Sequence, residues 1–531
     1  MGRTQQKSSL TDQHAKRIAA AIAKGRPPAF TPDLDQYLEQ SPREVFAALE
    51  GASLHMPPAG KDETLAFGYL FLLQALLERL RYRTDRGFLE ASRLIADFQT
   101  EVAAQARAGR IDERMFAYLA GALHQSKIPA SPELSAAFGR PLADGDEDGP
   151  SAADVTAALA GLLQACGGDP FAVIGAFAEF GHAMPGETRC TLAAGLALSD
   201  APGVRAAAVL FLLDGDAEVR RAAARALVQV APSLSPTDVR RLVTMRNWRP
   251  EDERSAVDAV IRKAREAGIE SARWEAGSTE AILASTVDGA ATQGFLLVSP
   301  AARKKRLSSI LTKACVADAW SGEPETRRQI DAAIESTDMG AAMLPVSRAY
   351  LDRVVAHHLA LGIERGDVPP PGLLQVAESI GGVDWQPQRM DFGETLGRLM
   401  AEIPEAMREP AAVATALRQS GNLADLEVVE QSWFEDNPDI AKAIAGARTQ
   451  NRAKLVAYLL QSVFGRYREK WADVLVRTAL WMREAPAEDD LCWRELAIVA
   501  KALADGRDMT EIGLMRDIAE RTVMMAATAR A

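Results

Sequence analysis

Cysteine is scarce in this chain: Cys166, Cys190, Cys315 and Cys492 are the only four in 531 residues. The closest two stand 24 positions apart. That spacing excludes a CxxC zinc or redox pair and fits buried thiols in a reducing compartment. Histidine is little more abundant, six in all, which leaves little material for a histidine-rich metal site. Aromatic residues make up only 6%. Positive charge is also short, since the net charge is -11, and this disfavours the whole chain as a binder of nucleic acid or anionic membrane. The most apolar run, Leu65–Leu77, is interrupted by Gln74 and falls short of the roughly 20 residues needed to span a bilayer. The opening MGRTQQKSSL lacks the apolar core of a signal peptide, and Gln6 stands where a myristoylation signal wants Ser or Thr. A soluble, cytoplasmic protein is expected.

Catalytic fingerprints are missing as well. Gly60-Lys61 is followed by Asp62, and His55 occupies the upstream glycine position, so no phosphate-binding GxxxxGK[ST] loop exists. No GxGxxG follows a strand, and neither GxSxG nor HExxH occurs. His357 and His358 are adjacent on an expected helix and point in different directions, which suits structural or surface histidines better than ligands of one ion. No cofactor is expected.

What the chain does have is helix-forming material. A hydrophobic fraction of 48% beside 25% charged residues describes a folded protein, and the plentiful alanine favours helices that approach closely. Leu65, Leu72, Leu73, Leu76, Leu77 and Leu80 recur at helical steps. Further helices are expected over Asp85–Arg107 and Asp112–His124, and Ser41-Pro42-Arg43-Glu44 and Ser131-Pro132-Glu133 read as helix starts. Pro141–Pro150, PLADGDEDGP, reads as a solvated linker. Within it Asp144, Asp146 and Asp148, with Gly149, match positions 1, 3, 5 and 6 of a calcium-binding loop. They are the metal candidates. Against them, Val155 stands where the bidentate Glu belongs, and Pro141 disrupts the entering helix.

The most informative stretch is Asp200–Ala231, two short helices joined by Asp214-Gly215-Asp216. Asp216 is placed to cap the second helix, and Val219, Ala223, Ala226 and Leu227 form its buried stripe. Arg220 is placed to pair with an acid in the loop of the same or next repeat. A second pair follows, Thr237–Asn247 and Glu251–Ala267, with Val219 and Arg254 35 positions apart; an earlier pair spans Phe171–Phe180 and Glu187–Leu198. The run from Asp216 through Val219-Arg220 to the spaced alanines and Leu227 resembles the HEAT-repeat family in its short bacterial form. The resemblance implies an α-solenoid whose second helices line a concave surface. There Arg221 and Arg225, and Arg262 and Arg265, form a possible binding face. Residues 203–268 hold 12 Lys and Arg against 9 Asp and Glu, a local +3.

Between Thr279 and Cys315 the period changes. Ala281–Thr286, Gly294–Ser299 and Leu307–Thr312 read as two or three antiparallel strands, with Asp288, Lys304, Lys305 and Asp318 as polar candidates. Arg303-Lys304-Lys305-Arg306 reads as a solvated turn. Helical patterns then resume to the end, and all eight tryptophans lie at or after Trp248. Trp248 and Trp274 near the repeats admit a DNA-glycosylase comparison, but their spacing defines no site and core packing is the plainer reading.

The expected fold class is all-α, an α-solenoid of HEAT-like helix pairs with a small antiparallel β insertion near 279–315. The expected organisation is a helical region 1–140, an acidic linker 141–150, HEAT-like repeats 151–272, the β-containing insertion 273–322 and a helical region 323–531. The expected function is a non-catalytic scaffold or adaptor whose partner is another protein, with no membrane partner. An enzyme with a site between the β insertion and the C-terminal helices is one alternative. Nucleic-acid binding through the local basic face is the other.

Overall fold

The leucines of residues 64–85 do more than form one stripe. In the computed structural model they belong to helix α4, Thr64–Asp85, and Ala66, Tyr69, Leu70 and Ala75 are buried beside Leu72, Leu73, Leu76, Leu77 and Leu80. A helix apolar nearly all round must be surrounded. The structure describes residues 9–23, 31–56, 63–85, 89–111, 113–139, 161, 168–181, 186–274, 277–336, 343–382, 385–425, 432–447, 449, 451–484 and 492–528. The calcium candidates Asp144, Asp146 and Asp148 lie outside the described residues, as does the expected linker. The chain divides into two compact units, Met1–Val204 and Arg205–Ala531.

In the first unit α4 is packed by α1 (Leu10–Ile22), α3 (Val45–His55), α5 (Leu89–Arg107) and α6 (Glu113–Gln125), with α2 (Pro32–Gln40) also touching it and α7 (Pro132–Gly139) packed on α5. Gly68 permits the close approach of α1, because a Cβ there would stand 2.3 Å from the Ala15 carbonyl oxygen. Ser131 caps α7 by accepting from Leu134 N–H at 3.2 Å. Ser41 makes no such bond: Pro42–Glu44 forms a 3₁₀ turn that leads into α3. Helices α8 (Pro170–Gly181) and α9 (Gly186–Leu198) complete the unit.

The second unit begins with the expected helix pairs. Helix α10 (Pro202–Leu210) runs into a 3₁₀ turn, and α11 (Ala217–Val230) is capped by Asp216, which accepts from Glu218 N–H at 2.9 Å. Helices α12 (Pro236–Arg246) and α13 (Glu251–Glu266) form the next pair. Val219, Ala223, Ala224, Ala226 and Leu227 are all buried.

The insertion is a larger sheet than the sequence reading foresaw. Five strands, β1 (Ala281–Ser285), β2 (Gln293–Ala301), β3 (Lys304–Thr312), β4 (Val316–Ser321) and β5 (Met343–Pro345), are arranged in the antiparallel order β4-β3-β2-β1-β5. The additional strands escaped notice because β4 mixes Ala, Asp and Trp and β5 has only three residues. Lys304 and Lys305 lie in β3, across from Ala301 and Pro300, rather than in the turn. One sheet face carries Leu296, Val298 and Leu307 against Ile330 of α14 (Arg327–Ser336). The other carries Phe295, whose ring lies 6.2 Å from that of Tyr350 on α15 (Arg348–Glu364).

The remaining helices are α16 (Gly372–Ser379), α17 (Phe392–Glu402), α18 (Glu405–Arg408), α19 (Pro410–Gln419), α20 (Pro438–Gly446), α21 (Arg452–Ser462), α22 (Arg468–Glu484), α23 (Cys492–Ala504) and α24 (Gly513–Thr528). Tryptophan side chains fasten this unit together: Trp481 donates to Ala284 O at 3.1 Å, Trp433 to Val287 O at 3.0 Å and Trp248 to Trp385 O at 2.8 Å. A buried indole needs such a partner for its N–H. No described helix is long and apolar enough to cross a membrane.

Candidate functional site

The charged residues of the helix pairs divide by burial. Arg220, 2% exposed, points inward. Its Nε and Nη2 donate to Glu253 Oε2 and Oε1 at 2.9 and 2.6 Å, and its Nη1 donates to the carbonyls of Asp214 and Gly215 at 2.8 and 3.0 Å. Arg249 donates to the same Glu253 at 2.6 Å and also to Leu212 O. Burial alone would push the Glu253 carboxyl up, but the Arg220 bonds and the Arg249 charge outweigh it and hold the group below its usual range. The same burial pushes Arg249 down, to about 10.

This pair joins the first turns of α11 and α13, and α13 also packs on the turn that ends α11. The two helices therefore run side by side in the same direction. They carry the four arginines of the expected binding face, Arg221, Arg225, Arg262 and Arg265, and all four are exposed. Arg221 pairs with Glu218 at 3.3 Å, and Arg262 lies one turn from Asp258, which pairs with Arg246. The solvent-exposed sides of α11 and α13 are thus arginine-bearing with interleaved acids.

Helix α12 turns toward the rest of the unit. Arg240 and Arg241 both donate to Glu378 of α16, at 3.0 and 2.8 Å, and the Arg240 guanidinium lies 4.5 Å from the centre of the Trp274 ring. Trp248 is fully buried. Both tryptophans of the glycosylase comparison are therefore packing groups.

Where the sheet meets α15 and α22, polar groups converge in the interior. Gln293 donates to Ser285 O at 2.8 Å and to the Tyr350 hydroxyl at 3.0 Å. Burial pushes that phenol up, to about 12. Arg477, 5% exposed, donates to Ala291 O at 3.2 Å, and Asp473 lies 3.7 Å from it. His357 accepts from Met390 N–H at 3.1 Å, and His358 Nδ1 lies 2.8 Å from Val354 O. Burial, with the Arg477 charge adding to it, holds His357 down to about 4 and His358 to about 3. Both imidazoles are neutral at physiological pH.

The polar candidates of the sheet do not come together. Asp288 caps the β1–β2 turn, accepting from Ala290 and Thr292 N–H at 2.9 and 2.7 Å. Lys305, paired with Glu280, and Lys304, bonded to Pro324 O, lie at the opposite end of β2. Asp318 is exposed on β4. The outer edge of β4 around Ala319–Ser321 is covered: Gly372 of α16 abuts the Ala319 carbonyl, and Gln375 accepts from Ser321 N–H at 3.3 Å. That stretch is closed to an added strand.

One arginine cluster went unnoticed in the sequence. Arg418 at the end of α19, Arg507 after α23 and Arg516 in the first turn of α24 line a half-open cavity of about 450 Å³ with Thr510 and Glu511. The chain stretches that carry it are remote in sequence, so no spacing points to it. Among the described residues no group of three or more His, Cys, Asp or Glu is placed to hold a metal ion.

Comparison with known proteins adds two partial matches. Residues 185–268 match a family model described as the Y4lR second domain, and residues 393–527 match one described as the Y4lR C-terminal helical domain. The chain is 25% identical over 395 residues to the "Uncharacterized protein y4lR" of Sinorhizobium fredii (strain NBRC 101917 / NGR234), covering 71% of this chain and 75% of that protein. No solved structure matches. The arginine-lined cavity falls within the second matched segment, helices α11 to α13 fall within the first, and the sheet lies outside both.

Proposed function

We propose that the chain is a non-catalytic, HEAT-like helical scaffold of the cytoplasm that binds an acidic face of a partner protein on the solvent-exposed sides of α11 and α13. The observation that supports this reading is the division of charge in the helix pairs. Arg220, Arg249, Glu253, Arg240, Arg241 and Glu378 are spent on internal braces, while Arg221, Arg225, Arg262 and Arg265 remain in solvent on two parallel helices. Repeated helix pairs present extended surfaces of this kind and recognise partners by shape and charge.

The test is affinity capture of the full chain from its native host, beside a variant carrying R221E, R225E, R262E and R265E. The wild type is expected to retain a stoichiometric protein that the variant loses, with unchanged circular dichroism. Equal retention by both chains would remove these helices from the interface. Recovery of nucleic acid alone, released by salt, would replace the scaffold with the nucleic-acid reading.

A further inference from the structure

The cavity in the C-terminal helices is built by close backbone packing. Gly513 presses against the 418–421 turn, where a Cβ on it would stand 2.7 Å from both Arg418 O and Gly421 N. The Ser420 hydroxyl accepts from Leu514 N–H at 3.0 Å and fixes the start of α24 on that turn. This contact brings Arg418 and Arg516 to the same cavity. Arg516 is steadied by a bond from Nη2 to Thr510 O at 3.2 Å, and Arg418 by one from Nη2 to Thr415 Oγ1 at 3.3 Å. Arg507 is paired with Glu511 at 2.6 Å.

The electrostatics follow from that inventory. Three guanidinium groups and one carboxylate line the cavity, a surplus of two positive charges in a chain of net charge -11. Among the described residues, Arg418 and Arg516 form no ion pair, so most of their donors are open to a ligand. Guanidinium forks match the oxygens of phosphate two at a time, and two of them in one cavity suit a dianion better than a single carboxylate. Leu417 and Ala414 add an apolar wall for an organic body. The volume lies within the roughly 300–1,000 Å³ of small-molecule sites.

We propose that this cavity binds a small phosphate monoester, with Arg418 and Arg516 gripping the phosphate together. The site stands apart from the helix-pair surface, and neither assignment depends on the other.

Calorimetric titration of the full chain with ribose 5-phosphate, ribose, glutarate and inorganic phosphate tests it, beside the variants R418Q, R516Q and R418Q/R516Q. Ribose 5-phosphate is expected to bind, ribose not to bind, and each single substitution to weaken binding by at least about tenfold. Affinity should fall as salt rises. Inorganic phosphate binding as tightly as the ester would reduce the site to an anion site with no organic specificity, and tighter binding of glutarate would replace phosphate by a dicarboxylate. Absence of binding by the wild type up to roughly 10 mM ester, or equal binding by the double variant, would overturn the assignment. Unchanged thermal unfolding of R418Q and R516Q separates loss of binding from loss of fold.

Discussion

Glu253 holds Arg220 by both carboxylate oxygens while one of them also receives Arg249, so a single acid neutralises two buried arginines from different places in the helix pairs. Replacing it leaves two uncompensated charges in the interior. Glu253→Gln is expected to cost about 3–5 kcal/mol in urea unfolding, the range for one lost partner of a buried pair. A cost below about 1 kcal/mol would mean that the network behaves like a surface pair. Because the folded carboxyl lies below its ordinary value of 4.5, its contribution is complete above that pH and fades as pH falls through the folded value.

The neutral histidines act in a higher window. Their ordinary value is 6.5, and burial holds His357 to about 4 and His358 to about 3. Below pH 6.5 the unfolded chain takes up protons that the folded chain refuses, so stability falls with falling pH. The loss reaches about 2 kcal/mol per histidine near pH 5. Thermal unfolding across this range should show the decline, and His358→Leu should flatten it by about half. An equally steep profile in the variant would assign the acid sensitivity elsewhere.

Trp248 ties the helix pairs to the segment around Trp385 by one indole hydrogen bond. Phenylalanine keeps most of the packing but leaves the Trp385 carbonyl without its donor. Trp248→Phe should destabilise the protein by about 1–3 kcal/mol, read from the denaturation midpoint. An unshifted midpoint would show that the bond contributes nothing net.

Gly372 is held against the edge strand so closely that an added Cβ would stand 1.7 Å from Ala319 O. Gly372→Ala must push α16 off β4, at a cost of about 1–3 kcal/mol, and bare a strand edge. The expected signature is a lower unfolding temperature together with earlier light scattering on heating. A variant that unfolds and scatters like the wild type would show that the helix and strand can part without harm.

The features legible in the sequence were local ones. Asp216 as a cap and the buried stripe from Val219 to Leu227 follow from spacing within one helix and its turn, whereas the acid that Arg220 braces stands on the first turn of α13 and not in a loop. The first three strands showed as β-branched and apolar runs. Strand β4 did not, because its Asp318 and Trp320 break the pattern, and the three-residue β5 is too short to have a period. The tryptophan bonds were hidden for a different reason: their acceptors are backbone carbonyls far away in the chain, and no residue type announces them. The arginine cavity was hidden likewise, since Arg418 meets Arg516 only through the packing of Gly513 on a distant turn.

The bond from Trp481 to the Ala284 carbonyl spans 197 residues, and this imposes an order on biosynthesis. At a ribosomal pace of roughly 5–20 residues per second, β1 emerges some 10 to 40 s before α22, the helix that will cover it. During that interval α14 and α15 are already available to pack on the two faces of the sheet, while the Ala284 carbonyl still lacks its indole donor. The sheet can therefore form early with α14 and α15, and the bond that ties it to α22 is among the late contacts of the folding chain.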